Sequence, residues 1–468
     1  MTRQQEAPEE PPAPCLVAEQ EVGSASAAAK DPFCALPPEL LQRIADLLPP
    51  NEVACVLRLA SKAMVAQLRR PQDRTVRLWL PVPHPEFVRR WGGDGAMRSL
   101  IRVRRTQLPA LVAASGSIPN LEFLLARIGR PAATADPDFD KAIMSAAAGA
   151  GQVEVCRWLR GQGFRYASTV LPRAAAGGHR AACEWLLADG CPVDRRSAGA
   201  AARGGHVGLM DWLLGAVVCD ARLLEAAAAG CDLPTLQRLQ HTYMEKDGAV
   251  LASKWKARML TAAVSSPTAD WRDKVEWLEA QGCRPQPDSS CAAALLPGDQ
   301  RPRVEWLRQR GYPLTSGAAE RAAAVGNMDL LQFILAAGVS IDDDSARRIA
   351  SKVARGGHLA LLQALLHAWG EERSGLRHVA GDTALGGHLR VVAWLLATLG
   401  AADVLTVATF RDAACSGSME LLAWLHARGC PWDQSVHAAA RRYGSEEQVE
   451  WLASMGCPTG GDGEPHQP

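Results

Sequence analysis

The chain has 468 residues, and its 51 Lys and Arg against 50 Asp and Glu give a formal net charge of +1. Hydrophobic residues make up 48% of the chain, which is enough for a sizeable core. These values exclude a mostly disordered chain and a protein whose whole surface attracts nucleic acid or membranes. Trp occurs 14 times, against 4 Tyr and 7 Phe, which indicates that one Trp-bearing unit has been copied.

The N-terminal segment 1–32 is rich in Pro, Glu and Ala, and we expect it to be a disordered lead. Residues 33–70 predict a small helical module. Pro37 and Pro38 suit a helix start, and apolar residues follow at helical spacing. A module of about 40 residues is marginal in size, so it should need a partner or the domain beside it.

The helical module resembles an F-box. The resemblance rests on Leu36-Pro37, Glu39-Leu40-Leu41, Ile44, Leu48, Val53 and Ala60-Ser61-Lys62. It departs at Met64, where that family usually has Trp. The resemblance implies that a Skp1-type adaptor binds the apolar residues Leu36, Pro37, Leu40, Leu41, Ile44, Leu48 and Val53. The alternative is that these helices only cap the array that follows.

Residues 69–105 are basic, with ten Arg and three acids, and carry Trp79, Phe87 and Trp91. Basic residues with interleaved aromatic residues can bind single-stranded nucleic acid. We instead predict a connector over residues 71–107, whose Arg side chains cover apolar surface and pair with acids elsewhere. We therefore do not expect nucleic acid as a partner.

A repeated pattern fills residues 108–458. The dipeptide Trp-Leu occurs at Trp158, Trp185, Trp212, Trp277, Trp306, Trp394, Trp424 and Trp451. An Ala cluster precedes most of these positions, and Gly-Gly-His triplets end at His179, His206, His358 and His388. The pattern predicts about eleven units, each consisting of an Ala-rich helix, a Gly turn and a second helix. Such short units must stack on one another, which predicts an α-solenoid. Segment 242–270 is interpreted as an inserted helix or loop, and residues 459–468 as a flexible tail.

The repeated pattern resembles the ankyrin repeat, most clearly over residues 174–194 (AAAGGHRAACEWLLADGCPVD). The resemblance covers about 350 residues, although the period is shorter than usual and the Thr-Pro-Leu-His opening is missing. It implies an all-α, ankyrin-type α-solenoid whose concave face, formed by the Ala-rich first helices, binds a client protein.

Sequence motifs for catalysis are missing, with no phosphate loop, HExxH or GxSxG. We therefore expect no enzyme and no cofactor. His and Cys recur once per unit, too far apart to share a metal ion. The 13 Cys include no CxxC, which predicts reduced thiols in the cytoplasm and/or nucleus. No membrane span is expected, since the longest candidate, 391–410, contains Asp403 and shares the repeat pattern.

These features lead to one functional hypothesis and two alternatives. The leading hypothesis is a substrate receptor of an SCF-type ubiquitin ligase, which presents a client held by the array. The first alternative is a plain ankyrin-repeat scaffold whose N-terminal helices are only a cap. The second is a nucleic-acid binder that uses the Arg-rich segment 69–105.

Overall fold

The computed structural model describes residues 36–128, 137–216, 222–247, 253–294, 298, 300–374 and 376–459. The predicted lead 1–32 and nearly all of the predicted tail 459–468 lie outside these residues. The described residues form helices and loops, with no strand among them. They fall into two compact units, one up to Thr75 and one from Val76. No helix in the described ranges has the length and apolarity that crossing a membrane requires.

The first unit has its own small core. Its elements are α1 (Pro38–Leu47), α2 (Pro50–Glu52) with a π-helical turn (Val53–Leu57), α3 (Lys62–Gln67) and α4 (Pro71–Arg74). Its core consists of Leu41, Ala45, Val53, Met64 and Leu68, against which Leu36, Leu48 and Leu57 pack. Ser61 caps the start of α3, because its hydroxyl accepts a hydrogen bond from the Met64 backbone amide at 3.3 Å.

The second unit consists of α5 (His84–Trp91) followed by an array of helix pairs. The first helices of the pairs are α6 (Arg102–Ala114), α8 (Pro137–Gly149), α10 (Val170–Ala176), α12 (Arg196–Arg203), α14 (Arg222–Gly230), α16 (Ser253–Val264), α18 (Pro287–Ala293), α20 (Ser316–Ala324), α22 (Asp343–Arg355), α24 (Leu376–Leu385), α27 (Val407–Ser416) and α29 (Gln434–Tyr443). The second helices are α7 (Ile118–Ile128), α9 (Val153–Gly161), α11 (Arg180–Ala188), α13 (Val207–Ala216), α15 (Leu233–Asp247), α17 (Trp271–Ala280), α19 (Gln300–Gln309), α21 (Met328–Ala336), α23 (Leu359–Ser374), α25 (Leu389–Leu399), α28 (Met419–Ala427) and α30 (Glu446–Ser454), and the short α26 (Ala401–Val404) follows α25. The part of the chain that the structure describes thus holds twelve pairs, where the sequence predicts about eleven.

Segment 242–270 is not an insertion. Its described part consists of the end of α15 and the whole of α16, which occupies the ordinary first-helix position between α14 and α18. The sequence interpretation failed here because α16 lacks the Ala-Ala-Ala and Gly-Gly-His signals of its neighbours. The packed face of α16 is formed instead by Met259, Leu260, Ala263 and Val264, which are all buried.

The first helices lie closer together than the second helices. Each first helix packs against the next one along the whole array. The contacts are made by small side chains that are fully buried, such as Ala174, Ala201 and Ala227. Small side chains let helix axes approach closely, whereas the second helices carry the bulky Leu and Trp residues. The array therefore curves with its first helices on the shorter, inner side.

The array returns to its own beginning. The Arg102 backbone amide at the start of α6 donates a hydrogen bond to the Gly444 carbonyl after α29, at 3.1 Å. The Glu447 amide donates to the Arg98 carbonyl at 3.3 Å. We call the contact between residues 98–105 and 444–450 the seam. It joins the first pair of the array to the last.

Candidate functional site

The first helices form one continuous surface, which we call the first-helix face. A cleft of about 490 Å³ lies across α10, α12, α14 and α16 on this face and is called the α10–α16 cleft below. The cleft is lined by six Arg side chains: Arg173, Arg195, Arg196, Arg203, Arg222 and Arg258. Glu225 is the one carboxylate that lines it. The cleft is therefore strongly basic, although the chain as a whole is nearly neutral.

Helical spacing and small residues bring these Arg side chains together. Arg196 and Arg203 lie seven residues apart on α12, so they project from the same side of that helix. Between them, Gly199 and Ala200 form part of the cleft floor together with Ala226 of α14. A Cβ at Gly199 would lie 3.7 Å from the Ala226 Cβ, so the two helices are in close contact there. Arg side chains from successive repeats can therefore reach a common space.

The positive charge of the cleft is only partly neutralised. Glu225 pairs with Arg258 at 2.9 Å and lies 3.9 Å from Arg203. Arg196 pairs with Asp194 at 2.6 Å, and its hydrogen bond holds the pKa of Asp194 below the usual value. Among the described residues, the ion pairs of the cleft do not include Arg173. The six guanidinium groups therefore outnumber the described carboxylates that line the cleft or pair with its Arg residues, Glu225 and Asp194.

Other clefts continue this pattern along the same face. One, across α8 and α10, is lined by Lys141 and Arg173 without a carboxylate. Another, on α22 and α24, is lined by Arg347, Arg348, Lys352, Arg355 and Asp382. On α20, Glu320 accepts hydrogen bonds from Arg348 and Lys352 at 2.8 and 2.9 Å. Partial burial opposes its ionisation, yet these two bonds hold the pKa of Glu320 below the usual value. The α22 surface is therefore basic but more fully paired than the α10–α16 cleft.

The repeated His residues have a packing role. The ring of His206 lies where a Cβ at Gly178 of the preceding repeat would be, with a ring carbon 2.4 Å from that position. His179, His358 and His388 occupy the same place against Gly151, Gly326 and Gly357. Each ring thus requires a glycine in the turn before its own. In the described ranges, no group of three His, Cys, Asp or Glu could hold a metal ion.

The Trp residues of the Trp-Leu pairs lie on the second helices, away from the first-helix face. All eight are half-buried. Several are covered by Arg side chains, as Trp424 is by Arg428 at 3.8 Å and Trp306 by Arg310 at 4.9 Å. They pack neighbouring repeats together.

The residues predicted to bind an adaptor do not form one exposed surface. Leu41 and Val53 are buried in the core of the first unit, and Leu36 and Leu48 pack against that core. Pro37, Leu40 and Ile44 are exposed. The sequence pattern could not separate these groups, because both occur at helical spacing.

Four of the ten Arg residues in the basic segment 69–105 form ion pairs within the protein. Arg70 pairs with Asp46 and Asp73 at 2.6 and 2.9 Å. Arg98 pairs with Glu450, and Arg105 with Glu446, at the seam. This segment therefore offers less free charge than its composition suggests. The Arg residues of the α10–α16 cleft were missed, although Arg173 and Arg203 directly flank the Ala clusters in the sequence.

Comparison with known proteins finds neither a matching family model nor a matching curated protein. Solved structures that are similar include a pentatricopeptide repeat protein from maize, with 14% identity and a TM-score of 0.28, covering 91% of this chain and 77% of that one. A pentatricopeptide repeat protein in complex with an 18-nucleotide RNA element has 13% identity and a TM-score of 0.29, covering 90% and 74%.

These findings correct the family and function predicted from the sequence. The assignment to ankyrin repeats with an F-box is withdrawn, because no model of either family matches the chain. The similar solved structures are of pentatricopeptide repeat proteins. The SCF substrate receptor, the plain ankyrin scaffold, the client protein and the Skp1-type adaptor are withdrawn with it. The expectation of no nucleic-acid partner is withdrawn, because the clefts of the first-helix face are basic. Two of the similar structures contain RNA. The α-solenoid itself is retained, because the described pairs stack as helical repeats.

Proposed function

We propose that the protein binds single-stranded RNA along its first-helix face, with the phosphates held in the α10–α16 cleft. The observation that carries the proposal is the convergence of six Arg side chains from four successive repeats on one cleft with one carboxylate. A guanidinium group presents its N–H donors in a planar fork that matches the oxygens of a phosphate.

A polymeric ligand suits this face better than a small one. Basic clefts lie on α8, α10–α16 and α22, so cationic groups recur along the array rather than at a single point. Neighbouring helices are roughly 8–10 Å apart, and a flexible strand can bring successive phosphates to successive repeats. The floor of Ala and Gly residues has few hydrogen-bonding groups. We therefore expect weak sequence preference and strong salt dependence.

The proposal assigns no catalytic step to the protein, and it locates the protein in the cytoplasm or nucleus. All ten cysteines in the described ranges have free thiols. Burial raises the pKa of the Cys156 and Cys183 thiols to about 12, so these thiols remain protonated and unreactive. Free thiols support a reducing compartment.

The test is equilibrium binding of a fluorescently labelled 20-nucleotide RNA, followed by anisotropy between 50 and 200 mM salt. The variant Arg173→Ala/Arg195→Ala/Arg222→Ala should weaken binding at least ten-fold and reduce the salt slope, by about 0.7 for each phosphate that is no longer bound. The matched control is Arg157→Ala/Arg284→Ala/Arg390→Ala, which removes three exposed Arg residues away from the cleft and should leave the affinity unchanged.

Two results would contradict the proposal. One is equal affinity of the cleft variant and the wild-type protein for RNA. The other is tighter binding of polyglutamate than of RNA, which would indicate an acidic protein as the ligand.

A further inference from the structure

Helices α6 and α29, which meet at the seam, contact each other less extensively than successive first helices do. Successive first helices are joined by buried Ala side chains, whereas the seam is joined by two backbone hydrogen bonds and the ion pairs Arg98–Glu450 and Arg105–Glu446. The side chains of Arg98 and Glu450 are 45% and 60% exposed. Exposed ion pairs contribute little to stability and are screened by salt.

Ile101 makes an apolar contact beside the seam. Ile101 packs against the turn after α27, where its Cγ2 lies 2.5 Å from the position of a Cβ at Gly417. Only glycine fits there, and Gly417 also has a φ of +85°, which glycine adopts readily. Because α6 and α29 contact each other less than successive first helices do, the seam should open before neighbouring repeats separate, since local opening begins where contacts are fewest.

The seam also decides how a ligand reaches the first-helix face. The first helices are on the inner side of the curve, so a closed array surrounds the basic clefts. A strand with a free end can thread into this space. A strand without a free end needs a gap in the row of repeats.

We propose that the seam is a gate that opens the array to admit RNA to the first-helix face. This inference rests on the proposed function. Opening separates residues 98–105 from residues 444–450 while the twelve pairs remain stacked, and salt favours opening because it screens the two ion pairs.

A disulfide can lock this gate. The Ile101 Cβ lies 3.9 Å from the position of a Cβ at residue 417, within the range that a disulfide requires. The double variant Ile101→Cys/Gly417→Cys is made in a Cys415→Ser background, because the Cys415 thiol lies two residues away. The variant Ile101→Ala/Gly417→Cys in that background removes the Ile101 methyl group without allowing a disulfide, and so controls for the strain of a side chain at positive φ.

The locked and unlocked proteins are compared with two RNAs of the same sequence, one linear and one covalently closed into a circle. When reduced, the double variant should bind both. When oxidised, it should keep its affinity for the linear RNA and associate with the circle at least ten-fold more slowly. Equal association with the circle in both states would overturn the gate. Loss of binding to both RNAs on oxidation would overturn it as well, since the lock would then have altered the binding face itself.

Hydrogen exchange tests the gate without RNA. The amides of Arg102 and Glu447 lie in the first turns of α6 and α30, so neither has a partner within its own helix, and the seam alone protects them. Mass spectrometry should show faster exchange in peptides 100–106 and 444–450 than in peptide 201–208, where the His206 amide donates to the Ala201 carbonyl within one repeat. The exchange should accelerate with salt.

The two experiments separate the gate from the proposed function. Seam amides that exchange as slowly as His206 at every salt concentration would overturn the gate even if RNA binds. Absence of RNA binding by the reduced protein would refute the proposed function, whatever the exchange rates show.

Discussion

At the scale of single residues, the α10–α16 cleft depends on the balance between its guanidinium groups and Glu225. The carboxylate of Glu225 lies between Arg203 and Arg258, where it competes with any anion for the same donors. Its side chain is only 18% exposed and faces two Arg side chains of the cleft, so it affects the charge that a ligand meets there.

Glu225→Gln should strengthen RNA binding. The substitution removes a negative charge while keeping the shape of the side chain, and it releases two Arg side chains toward the ligand. We expect a two- to ten-fold lower Kd at 100 mM salt, measured by anisotropy. Glu305→Gln, on α19, is the control and should leave the Kd unchanged. A weaker complex with Glu225→Gln would show that this carboxylate contacts the RNA or orders the cleft.

Lys274 is a buried basic residue that connects two turns of the array. It is fully buried, and its ammonium group donates hydrogen bonds to the Ala228 and Cys231 carbonyls at 3.0 and 2.7 Å and to the Ser266 hydroxyl at 2.7 Å. It thereby joins the turn after α14 to the turn after α16. Desolvation lowers the pKa of Lys274 in the folded protein, against the attraction of Asp270.

Lys274→Met should lower the free energy of unfolding by about 2–4 kcal/mol, because it leaves buried carbonyls without donors. Urea denaturation measures the loss, with the exposed Lys141→Met as control. The folded-state pKa is below the unfolded one, so the unfolded chain binds more protons between the two values. The difference in the free energy of unfolding between the wild-type protein and Lys274→Met should therefore increase as the pH rises toward 10.5. A difference in the free energy of unfolding that stays constant with pH would contradict the lowered pKa of Lys274.

At the scale of the helix pair, the Gly-Gly-His turn locks each repeat to the one before it. Gly178 has a φ of +76° and faces the His206 ring, whereas Gly190 has a φ of +79° and faces open space. The two glycines thus share a backbone conformation and differ in what surrounds them.

Gly178→Ala should destabilise the protein more than Gly190→Ala. Gly190→Ala should lower the free energy of unfolding by about 1–2 kcal/mol, the strain of a side chain in the left-handed region. Gly178→Ala should lower the free energy of unfolding by at least twice the loss in Gly190→Ala, because its methyl group also overlaps the His206 imidazole. Removing the ring in Gly178→Ala/His206→Ala should recover part of that second loss. Equal effects of the two Ala substitutions would refute the packing role of the ring.

The helix pair is also the scale at which the sequence was most informative. Ala clusters, Gly turns and Trp-Leu pairs predicted helix pairs that stack, since each signal reflects local geometry or burial. The same signals misled where a repeat lacked them, as in α16. The cleft could not be predicted, because Arg173 and Arg258 are 85 residues apart and meet only through the stacking of four repeats. The family was wrongly assigned because Ala, Gly and Trp-Leu positions report how helices pack, which unrelated helical repeats share.

At the scale of the whole array, residues distant in sequence stabilise each other through the seam. A chain that ends at Asp433 lacks α29 and α30 and therefore lacks one side of the seam. We expect a lower free energy of unfolding and loss of exchange protection at Arg102, more than 300 residues away. Denaturation and hydrogen exchange of the shortened chain test this. Unchanged protection of peptide 100–106 would show that the seam does not order the start of α6.

The seam also limits how this protein can change in evolution. An open row of repeats gains or loses a unit at either end, or by duplication within it, and each change costs only one interface. In an array whose last pair contacts its first, adding or deleting a pair would move Gly444 away from Arg102. The contact between the two ends of the array would then be lost. We therefore expect selection to hold the number of repeats constant. Variants of the protein should then differ by substitutions within repeats and not by the number of repeats. The divergence among the twelve pairs, some of which lack Trp, Ala cluster or His, is the kind of variation that this constraint permits.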